Sequence, residues 1–220
     1  ADCVTLENVF ANKVEQSKDS FAELGDIISL FRRVGCKESD VYFQASMYAH
    51  KLNPTAETAA GCGYQAIKKK EYAEALTFFE EALLLEQEDS AKYDYQLAAA
   101  HLLQQLGRFS EARVAARKAA ALNSHEGEPY ILIATMYADN AHNPYPDDKI
   151  LAKTVYWAAV DQLEKAKSVD SACAEKAQQL INSYRKYYPS KEDVFFKPEL
   201  KPGESFTIGG WIGESVRCRD

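Results

Sequence analysis

The chain has 220 residues, of which 46% are hydrophobic and 27% charged, and its net charge is −7. A chain of that length buries a sizeable core, and its composition suits one elongated array better than two globular domains. With only 26 basic residues against 33 acidic ones it lacks the positive face that general nucleic-acid binding needs, and no apolar run approaches the roughly 20 residues that span a membrane.

The chain opens Ala1-Asp2-Cys3, with neither an initiator methionine nor a basic-then-apolar leader, which leaves processing and excision from a longer chain both open. Residues 5–18 and 20–34 read as helices. In the second, Phe21, Leu24, Ile27, Ile28 and Phe31 form a helical stripe between an N-cap, Ser20, and a stop, Gly35. Ser39 opens a third helix carrying Tyr42, Ser46 and Ala49, with Pro54 beyond its end, so residues 20–54 read as a degenerate helix hairpin and 1–54 as an N-terminal segment. Thr55 caps the next helix, and Lys68-Lys69-Lys70 closes it, where cations complement the helix dipole.

Residues 55–171 hold three copies of one signature, each with an aromatic at the start of a second helix. Tyr72 leads to Ala75, Phe79 and Ala82; Phe109 leads to Ala112, Ala116 and Ala119; Tyr156 leads to Ala159, Leu163 and Ala166. Spacings of four and then three place each trio on one helix face, a narrow seam that must stack on a neighbour to be buried. The aromatics are 37 and 47 residues apart, and the longer interval reflects an insertion at about 139–151. Ala174, Ala177, Leu180, Ile181 and Tyr184 mark a capping helix within 172–190.

From Lys191 the chain is rich in Gly and Pro, and Pro198 and Pro202 argue against a helix. Ser205–Ile208 and Trp211–Arg217 flank Gly209-Gly210, which reads as a tight hairpin within the 191–220 tail. Phe195, Phe196, Phe206, Ile208 and Trp211 are too apolar for a disordered segment and favour packing on the last helices. The other possibility is that Trp211 and Ile212 stay open to dock a partner.

These residues resemble the tetratricopeptide repeat. Tyr130, Ile133, Ala134 and Tyr137 match its first helix, and Ala75, Phe79 and Ala82 its second. The resemblance implies an all-α, right-handed helical-repeat solenoid of about four hairpins plus a capping helix, with a short β-like tail. The tail FTIGGWIGES, together with YYPSKEDVFF, AKTVYWAAVD and the opening segment, is similar to the C-terminal part of large exported tetratricopeptide proteins of Gram-negative gut bacteria. That likeness implies a periplasmic or cell-envelope protein with no enzymatic activity. Arrays of this kind hold partners on the first-helix face. Here that face maps to Glu57, Ala60, Tyr64 and Lys68, then Asp94, Leu97, His101 and Gln105, then Glu128, Ile131 and Thr135. The expected binding residues are Tyr64, Lys68, Asp94, His101, Gln105, Glu128 and Thr135, with Tyr64 and His101 near the centre. The face lacks the basic and amide side chains that clamp a C-terminal carboxylate, so the expected partner is a protein segment or loop. The second-helix face carries Lys, Glu, Gln and Arg, which suits solvent.

Little else points to chemistry. The five cysteines form no C-x-x-C, and the four histidines lie scattered at 50, 101, 125 and 142, so no metal, cofactor or nucleophile motif emerges. Gly61-Cys62-Gly63 lies within a predicted helix and has no following Gly-Lys-Ser/Thr, which excludes a phosphate loop. A glycan or small-ligand site in the inserted loop, using His142, Tyr145 and Asp147, is the alternative to a protein-binding scaffold. Cys3 precedes the first helix and Cys36 follows the second, so an antiparallel helix pair would let them bridge in an oxidising compartment. Two reduced cysteines are the other reading, and Cys62, Cys173 and Cys218 are expected to be unpaired.

Overall fold

A computed structural model describes residues 2–219. These residues form two compact units that meet in sequence at Leu106 and Gly107. Both are built of helix hairpins in which each helix packs on its neighbours in sequence, an all-α repeat fold of the tetratricopeptide type with a short β-ribbon at its end.

The first unit holds α1 (Cys3–Gln16), α2 (Phe21–Arg33), α3 (Asp40–Leu52), α4 (Ala56–Lys68), α5 (Tyr72–Leu85) and α6 (Asp89–Gln105). Local chemistry sets the starts. Asp2 accepts from the Thr5 N–H at 2.8 Å, Ser20 accepts from Glu23, and Thr55 and Thr58 form a reciprocal capping box. Leu24, Ile27, Ile28 and Phe31 of α2 pack with Val41, Tyr42, Phe43, Ala45 and Ala49 of α3, and Phe10 of α1 meets Phe31 edge-on. Cys3 and Cys36 form a disulfide, Cα–Cα 5.5 Å, that ties the start of α1 to the loop after α2. Helix α2 ends through the left-handed Gly35 (φ 80°), and α4 ends the same way through Lys70 (φ 62°), where a side chain crowds the backbone.

The second unit holds α7 (Phe109–Leu122), α8 (Glu128–Asp139), α9 (Lys149–Val169), α10 (Ala174–Tyr184) with a 3-10 turn (Arg185–Tyr187), α11 (Lys191–Phe195), and strands β1 (Ser205–Thr207) and β2 (Ser215–Arg217). Across the two units, all nine seam residues of the three signatures have 0% exposure. Trp157, Tyr137, Ile133 and Met136 complete the second core.

Four expectations need correction. Helix α9 begins at Lys149, two turns before Tyr156, because Asp148 caps the Ile150 and Leu151 N–H groups (3.0 Å each) and Ala152 is buried; the inserted loop is therefore 140–148. A short helix, α11, does form after Lys191. Its Ser190–Asp193 capping box needs only one turn, and Pro198 lies beyond its end. The ribbon is not a tight Gly-Gly hairpin: Phe206 faces Val216, and Ile208 donates to Glu214 C=O (2.8 Å), so residues 208–214 form the loop. Phe195 and Phe196 do not pack; they are 83% and 66% exposed and touch each other edge-on, while Val194 and Leu200 are the residues buried there.

Candidate functional site

In the first unit, α2, α4 and α6 bring polar and aromatic groups to one face. Tyr64 of α4 is half-buried, with its ring edge against Phe79 (centroids 5.1 Å) and the Lys37 ammonium 5.9 Å from its centroid. Burial first, and the nearby Asp94 carboxylate second, push the Tyr64 hydroxyl's pKa up, so it stays a neutral donor at physiological pH. Arg32 of α2 reaches Glu57 of α4, Nε to Oε1 3.1 Å. The contact is an ion pair whose angle makes no hydrogen bond, and Glu57 Oε1 is closed to solvent. Burial also raises Tyr95 of α6, with Glu86, Tyr64, Glu57 and Arg32 adding smaller electrostatic effects, so all these groups share one neighbourhood. An open cleft of about 590 Å³ continues from Glu57 along Phe21, Gly25 and Ile28 of α2 to Leu85.

The expected binding residues fare differently. Tyr64 and Asp94 come together. His101 and Gln105 are exposed further along α6, on the helical stripe that starts at Asp94. Lys68 is turned toward α3, where it pairs with Asp40 (2.8 Å) and lies over the Phe43 ring. In the second unit Glu128 pairs with Lys176 of α10 (3.1 Å), and Thr135 donates to the Leu132 carbonyl of its own helix (3.0 Å). Ala60 and Ile131, mapped to the same face, are buried because their stripe turns inward there.

Sequence reasoning missed Arg32, Lys37 and Tyr95. A first-helix reading of α2 would have placed Arg32, since it lies one turn after Ile28 on the same helix. The second-helix face is also less uniform than expected. Glu81 of α5 meets His50 (3.4 Å), and α7 carries Arg113 and Arg117, both of which face Glu214 of the tail.

The inserted loop serves the fold: Tyr145 accepts a hydrogen bond from the Gly209 N–H (2.7 Å), and Asp148, besides capping α9, pairs with Lys197. Backbone donors and Lys197 hold the Asp148 carboxyl below the usual range. A pocket between α3, α4 and α5, lined by His50, Cys62 and Phe78, measures about 180 Å³, less than the roughly 300 Å³ at which ligand pockets begin. Burial pushes the Cys62 thiol up to about 12, which makes it a poor nucleophile. Among the described residues no group of three His, Cys, Asp or Glu side chains is placed to hold a metal, and no helix is long and apolar enough to cross a membrane.

No protein-family model matches the chain, and no curated protein does. Among solved structures, one similar chain is YrrB, described as a TPR protein with an unusual peptide-binding site. It is 19% identical, over 84% of this chain and 94% of that one, with a TM-score of 0.49. Another is the MamA protein, 14% identical over 85% of this chain and 100% of that one, TM-score 0.48. The chain's own buried seams and sequential hairpins give it the tetratricopeptide-type helix-hairpin fold.

Proposed function

We propose that this chain is a non-catalytic scaffold whose first unit binds a segment of another protein on the face of α4 and α6, in the periplasm or cell envelope of a bacterium. The observation that carries the reading is Tyr64: a half-open ring backed by Phe79, flanked by the Lys37 cation and the Asp94 carboxylate. A rigid aromatic with a neutral hydroxyl buries large area at small entropic cost, and the charges beside it select among partners. His101 and Gln105 extend the surface along α6 with groups that can donate or accept. The Cys3–Cys36 bridge supports an oxidising compartment, as does the tail's likeness to exported proteins. The alternative, a glycan site in the inserted loop using His142, Tyr145 and Asp147, has less support because the Tyr145 hydroxyl is already engaged by the tail.

The test is capture of partners from the envelope fraction by full-length wild type and by Tyr64→Ala/His101→Ala. The double change is expected to weaken capture by about tenfold or more, the scale of losing an interface anchor. Glu80→Ala, exposed on α5, is the control and should leave capture unchanged. Circular dichroism confirms that the variants are folded. Equal capture by folded double variant and wild type would remove the face from consideration.

A further inference from the structure

The loop of the tail ribbon is attached to the second unit chiefly through side chains. The Trp211 ring stacks on Phe109 at the start of α7 (centroids 5.5 Å, 30° between planes) and lies 5.4 Å from Tyr137 of α8. Three residues later, Glu214 Oε1 accepts hydrogen bonds from the Tyr137 hydroxyl (2.6 Å) and from the Arg117 guanidinium, with Arg113 Nη1 at 4.0 Å. Arg113 also donates to the Tyr137 hydroxyl (3.5 Å). The backbone adds little: the Gly209 N–H donates to Tyr145, and Ile208 closes the loop on itself.

An aromatic in an aromatic seat beside a carboxylate between two arginines is the chemistry by which a linear segment is captured. Ile208 and Ile212 of the loop are fully buried, but the fit around Trp211 leaves gaps. The Trp211 indole N–H and Arg113 Nε are closed to solvent without a hydrogen-bond partner, an uncompensated desolvation on each side of the contact. An open cleft of about 340 Å³ adjoins Trp211 between Phe109 and Asn143. With the loop lifted away, Arg113 and Arg117 would stand together beside Phe109 and Tyr137 with no carboxylate between them. Such a surface attracts an anionic, aromatic segment, in a chain whose own net charge is −7.

We propose that Phe109, Arg113, Arg117 and Tyr137 form a binding site for a linear protein segment bearing an aromatic side chain and, three residues later, a carboxylate. The chain's own Trp211–Glu214 loop is its resident occupant, and a partner segment with that spacing competes for the seat. The site belongs wholly to the second unit, so it stands or falls independently of the Tyr64 face.

The probe is a fluorescently labelled peptide of residues 205–219 carrying Cys218→Ser. Anisotropy titrations compare full-length wild type with full-length Trp211→Ala/Glu214→Ala. The tethered loop competes at an effective concentration on the order of millimolar, so the variant should bind the peptide at least about tenfold more tightly than wild type. Adding Arg117→Ala should remove that gain, and a peptide carrying Glu214→Ala should not bind. Equal binding to wild type and variant, or none to either, overturns the proposal. Hydrogen exchange on the wild-type chain needs no substitution. The Gly209 amide should exchange at least about tenfold faster than the Met136 and Tyr137 amides of α8, as expected of a locally opening segment. Exchange of Gly209 in step with α8 would show that the loop leaves only when the unit unfolds, and would overturn the proposal too.

Discussion

Gly61→Ala tests how α3 and α4 are held together, and its expected sign opposes helix propensity. A Cβ built at Gly61 would lie 2.1 Å from Ser46 Oγ and 2.4 Å from Ser46 Cβ. Ser46 has nowhere to swing, since it is fully buried and its hydroxyl donates to the Tyr42 carbonyl at 2.8 Å. The two helices must therefore separate. Overpacking of this kind costs about 3 kcal/mol, alanine's better helix propensity returns about 1, and about 2 kcal/mol of destabilisation remains. Both tryptophans, Trp157 and Trp211, lie in the second unit, so their fluorescence does not report on this site. Cys62 does: it sits on α4, 5% exposed, and its thiol labels slowly until the helices open. Trapping of Cys62 by a thiol reagent, read by mass spectrometry, should run about 30-fold faster in Gly61→Ala than in wild type. Ser46→Gly/Gly61→Ala moves the β-carbon from one helix to the other, so its rate should return to within a few-fold of wild type. Wild-type labelling in Gly61→Ala, or no rescue in the double variant, would refute the steric argument.

The disulfide joins cysteines 33 residues apart, and closing a loop of that size stabilises by about 3–4 kcal/mol. Reduction should lower the urea midpoint of the first unit, read by helical ellipticity, and leave tryptophan fluorescence of the second unit unmoved; coincident midpoints with and without reductant would count against it. Lys70→Gly relieves a left-handed residue at the end of α4 and should stabilise the first unit by about 1 kcal/mol, slowing Cys62 trapping about fivefold. Faster trapping would show that the lysine's contacts outweigh its strain.

The hairpins are legible in the sequence because their signals are local. Ala75, Phe79 and Ala82, and their counterparts in α7 and α9, recur at helical spacing, and repeated burial of one face leaves them no exposure. Ser20 and Thr55 mark helix starts because an N-cap needs only the next three residues. The start of α9 and the single turn of α11 escape the same reading: each is set by a short capping contact in a segment whose Pro and Gly content speaks for a loop.

The face of Tyr64 is half legible. Helical spacing aligns Asp94 with His101, but Arg32, Lys37 and Tyr95 reach that neighbourhood only through the packing of α2, α4 and α6. The seat of the tail is not legible at all. Glu214 meets Tyr137 from 77 residues away and Arg117 from 97, and Gly209 meets Tyr145 from 64. Periodicity and capping act over three or four residues, whereas which arginine meets which carboxylate depends on how helices far apart in the chain are stacked. That stacking, and not any motif, turns Arg113 and Arg117 from solvated side chains of a second helix into a clamp.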